Sequence, residues 1–229
     1  MTPDAAAWDA LRLSLWVAVW ATVLAIPLAL WVAWLLARRD FWGKSLLNAA
    51  VHLPLVLPPV VTGYLLLMAF GRTAPLGRAL DAIGLQLAFH WSGAVLAAMI
   101  MGFPLMVRAM RLAIEAVDPK LEDAAASLGA SRASVFGRVT LPLILPGILA
   151  GTVMGFAKAM GEFGATITFV ANIPGQTQTL PSAIWSALQI PGGEGQAVIM
   201  VVMASTVAIA AVLLSELLAR RVAARIAGA

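Results

Sequence analysis

Two opposite charges, Lys158 and Glu162, lie four residues apart in the stretch GFAKAMGEFGA, inside an otherwise apolar segment. A lysine at the centre of a membrane span costs about 2.5–3.5 kcal/mol on insertion scales, so its side chain is expected to face protein or water. Residues four apart meet on one helix face, which favours an ion pair that neutralises both charges. A second hypothesis places Lys158 beside a pathway for an anion, with Glu162 preventing that attraction from becoming a trap. The sequence leaves both interpretations open.

No other group of residues predicts catalysis, nucleotide binding or metal binding. The triplet GKS at Gly43–Ser45 lacks the glycine five residues earlier that a P-loop requires, because that position is Arg38. The two histidines, His52 and His90, lie near the ends of apolar segments, and neither has a histidine four residues away. We therefore expect interfacial residues rather than metal ligands. The chain has no cysteine, which excludes disulfides, thiolate metal sites and cysteine nucleophiles.

The composition sets the class of protein that must position these residues. Of 229 residues, 62% are hydrophobic and 11% are charged, against about 45–50% and about 25% in soluble domains. The mean hydropathy is +0.94. The pI near 10.3 reflects a net charge of only +4, and the cations lie beside apolar segments instead of forming the basic patch of a nucleic-acid reader. We predict an integral membrane protein with one compact bundle, no separate soluble domain and no nucleic-acid partner.

Five apolar segments are long enough to cross a bilayer. They cover about residues 13–36, 46–70, 87–106, 142–170 and 197–218. A hydrocarbon core about 30 Å thick needs roughly 20 helical residues, and a segment in lipid must satisfy its backbone hydrogen bonds internally. None of the segments alternates as a membrane β-strand would. The predicted fold class is therefore an all-α integral membrane protein with five transmembrane helices.

The distribution of Lys and Arg predicts the orientation of these spans. Only Arg12, Arg72 and Arg78 lie on one side, and Lys158 lies within a span. The other side carries eleven of the 15 cations, namely Arg38, Arg39, Lys44, Arg108, Arg111, Lys120, Arg132, Arg138, Arg220, Arg221 and Arg225. Because loops rich in Lys and Arg stay in the cytoplasm, we predict the N-terminus outside and the C-terminus inside. We expect the first span to be retained, since its apolar run is too long for a cleaved signal.

Prolines and glycines give two of the spans a special character. The second span contains Pro54, Pro58 and Pro59. Proline breaks the helical hydrogen-bond ladder, and broken helix at membrane depth is tolerated where protein or a water-filled cavity covers it. These prolines, with Lys158 and Glu162, are our candidates for a pathway or gate. The fourth span has a stripe of small residues, Gly147, Gly151 and Gly155. This stripe predicts close packing against another helix.

The connection between the third and fourth spans is polar. Residues 111–140 hold eight of the 26 charged residues of the chain. Asp118–Pro119 marks a helix start, Gly129 suits the end of that helix, and Ser131 can cap a second short helix. This elbow is longer than the roughly 2–8 residues common between helices. Its small apolar residues ringed by charges favour docking into a groove on another protein.

The elbow resembles the EAA loop of ABC importer permeases, which reads Glu-Ala-Ala, three residues, Gly, nine residues, Ile-x-Leu-Pro. The matching residues, at the same spacing, are Asp123, Ala124, Ala125, Gly129, Val139, Leu141 and Pro142. Asp replaces Glu and Val replaces Ile, and Glu122 lies next to the substituted acid. The resemblance implies that this coupling loop, residues 111–141, binds an ATPase subunit, with Glu122 and Leu128 contributing beside the motif.

Further stretches extend the resemblance over nearly the whole chain. HLPLVLPPVVTGYLLLMAFGR (52–72), FPLMVRAMRLAIEAVD (103–118) and GEFGATITFVANIPGQTQTLPSAIW (161–185) are similar to the molybdate permeases among ABC importers. The resemblance implies one type I transmembrane domain over residues 1–229, with a core of about 11–219, in the bacterial inner membrane. It implies as partners a second copy of the chain in a homodimer, two ATP-binding cassette subunits on the cytoplasmic side, a periplasmic oxyanion-binding protein and membrane lipid. No cofactor is expected on this chain, because ATP and Mg²⁺ act on the partner ATPase.

Three alternatives remain beside import of molybdate. Related permeases share parts of these patterns, so tungstate or sulfate is the first alternative. A secondary transporter that works without ATP is the second; such proteins often contain internal repeats, and five spans do not divide into two. A membrane-embedded enzyme would need reactive groups at depth, where only Lys158 and Glu162 lie. We predict a transport subunit without enzymatic activity.

Overall fold

The computed structural model describes residues 4–226, and every regular element in that range is helical. Residues 1–3 and 227–229 of the expected domain lie outside the described part. A π-helical turn (Phe136–Thr140) joins α7 to α8. The α-helices are α1 (Ala5–Arg38), α2 (Lys44–Val56), α3 (Pro59–Phe70), α4 (Pro75–Ala82), α5 (Trp91–Glu115), α6 (Pro119–Ser127), α7 (Arg132–Val135), α8 (Leu141–Met160), α9 (Gly164–Val170), α10 (Leu180–Leu188) and α11 (Glu194–Ile226).

Successive spans alternate in direction along the chain, so that every second span runs the same way. The start of α1 packs on the start of α5, and the last turns of α1 pack on the last turns of α5, so these two helices run parallel. Helix α8 runs antiparallel to α5, because Gly102 faces Gly155 while Ala113 faces Gly147. Helix α11 begins beside the first turns of α1. We call the end of the bundle with Arg38 and α6 the elbow end, and the end with Ala5 and Trp91 the loop end.

Helix α1 is longer than the apolar segment 13–36 that predicted it. Asp4 caps its N-terminus by accepting a hydrogen bond from the Ala7 amide at 2.8 Å. Its 34 residues correspond to about 51 Å of helix, which is longer than a hydrocarbon core about 30 Å thick. After Arg38 the chain turns into α2, where Lys44 lies 2.9 Å from Asp40. The hydrogen bond and positive charge of Lys44 hold the pKa of the exposed Asp40 carboxyl below its usual range.

The second predicted span, 46–70, is not one helix. It consists of α2 and α3, which meet at an angle of 114° around Leu57 and Pro58. Helix α2 ends where the Leu57 amide donates to the Leu53 carbonyl, and Pro59 occupies the first turn of α3. Proline cannot donate a backbone hydrogen bond, so the two adjacent prolines prevent a continuous ladder. Residues 4–226 contain four helices that are long and apolar enough to cross a membrane, or five spans if this bent pair counts as one.

The helices in the fourth predicted span, 142–170, do not end where the apolar segment ends. Helix α8 stops at Met160, and residues 161–163 separate it from the short α9. At its start, α8 is continuous with α7 through the π-helical turn, so residues 132–160 form one 29-residue helix. The predicted second short helix of the elbow is thus the beginning of a span. The helix includes polar residues such as Arg132 and Arg138 before the apolar segment begins. A search for apolar segments cannot detect this polar part of the helix.

The remaining spans follow their apolar segments with shifted ends. The segment 87–106 predicted a helix that begins at Trp91 and continues to Glu115. His90 caps α5, since its ring accepts from the Ser92 amide at 3.3 Å. The segment 197–218 lies within α11, and the stretch LPSAIWSAL forms the short helix α10. Helix α10 is fixed to α1, because the Leu180 amide donates to the Ser14 hydroxyl at 2.7 Å.

The glycine stripe of α8 lies against α5. A Cβ atom added to Gly151 would lie 3.1 Å from the Met106 carbonyl oxygen, and one added to Gly155 would lie 2.5 Å from the Met106 sulfur. Gly147 faces the Cβ of Ala113 in the same way. Small residues allow two helix backbones to approach closely and gain van der Waals contact, which drives helix association in lipid. The stripe therefore sets the spacing between the two helices that hold the elbow.

Candidate functional site

The elbow projects from the bundle with an uncovered apolar surface. Asp118 caps α6 by accepting from the Lys120 amide at 2.9 Å, and no residue of α6 is buried. Leu128, directly after α6, is 90% exposed, and Leu121 is 50% exposed. Gly129 has φ +87, the left-handed conformation that favours glycine at a helix end. An exposed leucine at the tip of a polar elbow fits a surface that another protein covers.

The residues of the EAA-like motif fall into two groups. Asp123, Ala124 and Gly129 are exposed on the elbow, and Ala125 is half-buried. Val139, Leu141 and Pro142 lie instead where the π-helical turn becomes α8, and all three are partly buried. Leu141 packs against the core at the elbow end. One half of the motif thus faces outward and the other half fixes the elbow to a span.

Glu122 ties the elbow to two spans. Its Oε1 accepts a hydrogen bond from the Thr140 hydroxyl at 2.6 Å, and its Oε2 lies 3.3 Å from Nη2 of Arg38. The same guanidinium lies 3.5 Å from the Val117 carbonyl oxygen. Asp123 makes no side-chain hydrogen bond or ion pair within the described residues. Sequence reasoning placed Glu122 beside the motif, but it used Arg38 only to exclude a P-loop and to predict topology, and it did not select Thr140.

The breaks in the second and fourth spans lie against each other. A Cβ atom on Gly164, the first residue of α9, would lie 2.7 Å from the Cβ of Pro59, the first residue of α3. A Cβ atom on Gly63 would lie 2.5 Å from the Ala165 carbonyl oxygen. The sequence selects Pro54, Pro58 and Pro59 together with the charged pair, and the fold brings Pro59 next to the break that contains Glu162. Pro58 and Pro59 are exposed in the single chain, and Pro54 is partly buried within α2.

The deep charges form an ion pair at this junction. Nζ of Lys158 lies 2.9 Å from Oε2 of Glu162, with side-chain exposures of 30% and 1%. The second carboxylate oxygen of Glu162 accepts from the Ala165 amide at 2.9 Å. Glu162 therefore satisfies one of the backbone donors that a helix start leaves free, while Lys158 compensates its buried charge. A lone carboxylate in this position would be strongly unfavourable.

Neither histidine lies in a metal-binding cluster among residues 4–226, where no group of three His, Cys, Asp or Glu residues could hold an ion. His52 lies 2.8 Å from the carbonyl oxygen of Asn48, one turn earlier in α2. Arg111 donates to Asn48 at 3.1 Å and to Glu115 at 2.7 Å, which ties α2 to α5. Gly43 has φ +93 at the start of α2. Gly43 and His52 therefore have structural roles in α2, and Arg111 joins α2 to α5.

Comparisons with known proteins agree with this architecture. Residues 25–224 match the family described as binding-protein-dependent transport system inner membrane component. The chain is 55% identical over 214 residues to the molybdenum transport system permease protein ModB of Escherichia coli (strain K12), covering 93% of each protein. It is 38% identical over 173 residues to the sulfate transport system permease protein CysW of Synechococcus elongatus, covering 76% of this chain and 60% of that protein. A solved structure of a bacterial ABC transporter involved in the import of the acidic polysaccharide alginate superposes with a TM-score of 0.74 at 19% identity, over 95% of this chain and 80% of that chain.

The fold is therefore that of the membrane subunit of an ABC importer. The chain belongs to the family of inner membrane components of binding-protein-dependent transport systems. It is a multi-pass protein of the bacterial inner membrane, and its part in such a system is that of a permease rather than of a catalytic subunit.

Proposed function

We propose that this chain is the permease subunit of an ATP-driven importer that carries molybdate from the periplasm to the cytoplasm. The observation that carries the substrate is the 55% identity, over 93% of both proteins, to a molybdenum transport permease. The sulfate transport permease matches less well and over less of its length. Tungstate has the same tetrahedral shape and charge as molybdate, so it is the alternative within this class.

The elbow is the proposed site of ATPase docking. It offers the exposed Leu128 and Leu121 together with the unpaired carboxylate of Asp123, which a groove on a cytoplasmic subunit can cover. Two such subunits, one per permease, hydrolyse ATP with Mg²⁺, and this chain holds neither the nucleotide nor the ion. Closure of the ATPase pair then moves both elbows and changes which side of the membrane the pathway faces.

A second copy of the chain is the proposed partner within the membrane. Helix α3 exposes Val60, Tyr64, Leu65 and Met68, and α11 exposes a longer row of apolar side chains. Two copies that meet through part of this surface enclose the junction of the broken spans between them, and lipid covers the rest. A periplasmic oxyanion-binding protein delivers the substrate to the loop end, because a pathway that must also release its cargo is poorly suited to high affinity.

The junction of α3 and α9 is the proposed gate. Backbone that leaves the helical path at membrane depth is tolerated beside protein or a water-filled cavity, and Pro58, Pro59 and Gly164 provide two such breaks in contact. Lys158 and Glu162 hold the fourth-span break in place. On this view the pair is structural and supports the gate, instead of binding the passing anion directly.

Reconstitution tests the proposal. The chain, its ATPase and its binding protein would be assembled in vesicles, and uptake of radiolabelled molybdate would be measured with and without ATP. We expect ATP-dependent uptake that unlabelled tungstate inhibits and excess sulfate inhibits weakly. Uptake of sulfate alone would overturn the substrate but keep the class, whereas accumulation of molybdate without ATPase or ATP would favour a secondary transporter.

A further inference from the structure

We propose that Glu122 is the positioning residue through which the elbow moves the spans. This inference rests on the proposed function, since it assumes that an ATPase displaces α6. Asp123 and Leu128 are exposed on the elbow, whereas the neighbouring Glu122 faces back toward the bundle. Adjacent acids of the same elbow therefore have different tasks: one receives the partner and the other transmits the movement.

The attachment of α6 is narrow. The helix buries none of its residues, so it has little apolar contact through which a displacement could reach the core. The carboxylate of Glu122 bonds to the end of α1 through Arg38 and to the start of α8 through Thr140. A movement of α6 along its own direction thus acts on two spans at one point. Those spans differ in direction, since α1 ends at the elbow end and α8 begins there.

The hydroxyl of Thr140 makes its bond outside its own helix, at a π-helical turn. Threonine in a helix usually bonds to its own backbone, and Thr152, Thr168 and Thr206 each donate to the carbonyl four residues earlier. The hydroxyls of Thr22 and Thr62 have no partner among the described residues, whereas Thr140 has a partner outside its own helix. The carbonyl four residues before it belongs to Phe136 and accepts from the Leu141 amide, and the Thr140 hydroxyl donates instead to Glu122. Single π-helical turns are frequent at functional sites, and here the turn accompanies a hydroxyl that leaves its own helix.

The contact is better suited to transmission than to stability. The Arg38 and Glu122 side chains are partly buried, at 20% and 25% exposed, and water that reaches the pair reduces its contribution to folding. The Thr140 side is different, because Thr140 is 3% exposed and its short hydrogen bond to a carboxylate is of the strong kind. Removing the link should therefore lower the stability of the chain only modestly and leave the exposed docking surface in place, while the elbow moves without the spans.

Three variants test the role: Glu122→Ala, Arg38→Gln and Thr140→Val. Each has a matched control or a milder form. Thr152→Val makes the same isosteric change at a hydroxyl that bonds only to its own helix. Arg39→Gln removes the adjacent cation, which stacks on Trp34 at 5.3 Å. Glu122→Gln keeps an oxygen that accepts from Thr140, so it provides a second variant if Glu122→Ala does not fold.

The measurements are capture of the ATPase subunit, melting temperature in detergent, and molybdate transported per ATP hydrolysed in vesicles. We expect unchanged capture and a melting temperature lowered by a few degrees at most, with transport per ATP lowered on the order of 5-fold or more in Glu122→Ala and Thr140→Val. Thr152→Val and Arg39→Gln should match the parent. Parental transport per ATP in Glu122→Ala would overturn the proposal, and so would loss of ATPase capture, which would make Glu122 a docking residue. Failure of the parental chain itself to capture an ATPase would instead refute the proposed function.

The absence of cysteine permits a rescue experiment. Cysteines replacing Arg38 and Glu122 would be introduced into this Cys-free chain and joined by a short linker that reacts with two thiols. The unlinked double variant should transport poorly per ATP, and linking should restore part of the loss, because a covalent bridge again connects α6 to α1. A merely local structural role predicts no recovery on linking, and that result would count against transmission through α1.

Discussion

Pro59 and Gly164 lie in direct contact, so that the first residue of α3 covers the first residue of α9. A Cβ atom at Gly164 would come within 2.7 Å of the Pro59 Cβ and within 3.3 Å of the Val60 amide nitrogen. Each residue begins a helix directly after a break in a membrane span. The breaks before α3 and before α9, which are far apart in sequence, thus pack against each other. The gate that we propose depends on this packing.

Gly164→Ala should therefore disturb the junction. The added methyl meets a proline ring and backbone that cannot turn away, and overpacking of this kind costs about 1–3 kcal/mol. We expect a lower melting temperature in detergent and reduced uptake in vesicles. Gly161→Ala is the matched control at the same break, because its Cβ would meet only the Ala157 carbonyl oxygen at an ordinary 3.6 Å. Equal behaviour of the two variants would show that the contact does not constrain the junction.

Removal of Lys158 should be worse than removal of the whole ion pair. Lys158→Met leaves the buried Glu162 carboxylate without its cation, and breaking a buried pair on one side costs about 3–5 kcal/mol. Lys158→Met with Glu162→Gln removes both charges and keeps an oxygen for the Ala165 amide. We expect the single variant to accumulate poorly in the membrane and the double variant to approach the parent in both amount and uptake.

Uptake by the double variant separates the two hypotheses for this pair. A double variant that accumulates normally but transports poorly would mean that Lys158 serves the anion directly. Full activity of Lys158→Met alone would contradict both the structural and the pathway interpretation.

Leu128 should be the main apolar anchor for the ATPase. A leucine that is 90% exposed gains its burial only when a partner covers it, and central anchors can contribute 2 kcal/mol or more to binding. Leu128→Asp should lower capture of the ATPase by about 10-fold or more while leaving the melting temperature unchanged. Ile83→Asp, at a residue that is 77% exposed at the loop end, is the matched control and should bind normally. Gly129→Trp is a less clear test, since φ +87 strains any side chain there.

The sequence predicted the membrane class, the all-α fold and the elbow, because each of these depends on local properties. Apolar length marks spans, Asp118–Pro119 marks a helix start, and the motif has fixed spacing. The continuity of α7 with α8 could not be predicted in this way. Helix α7 is polar and α8 is apolar, so a search for apolar length stops between them. The contact of Glu122 with Arg38 and Thr140 joins residues 84 and 18 positions apart, and no local pattern encodes such a meeting.

The glycine stripe should not be uniform in its tolerance. At Gly147 an added methyl meets the Cβ of Ala113, which has no rotamer with which to move aside, whereas at Gly155 it meets the flexible end of Met106. We expect Gly147→Ala to destabilise the chain by about 1–3 kcal/mol and Gly155→Ala to cost clearly less. Thermal unfolding of the two variants in one detergent measures the difference. A greater loss at Gly155 would indicate that Met106 is held rigidly in the core.

The orientation of the bundle can be tested with single cysteines at Ser131 and Gln176. Ser131 is exposed at the elbow end, and Gln176 is exposed in the loop before α10 at the opposite end. Because most Lys and Arg residues of the connecting segments flank the elbow end, we expect this end to face the cytoplasm. A thiol reagent that cannot cross the membrane should label Gln176→Cys in intact cells and Ser131→Cys only after the membrane is opened. The reverse pattern would invert the orientation but keep the fold, whereas labelling of both positions from one side would contradict the alternation of the helices.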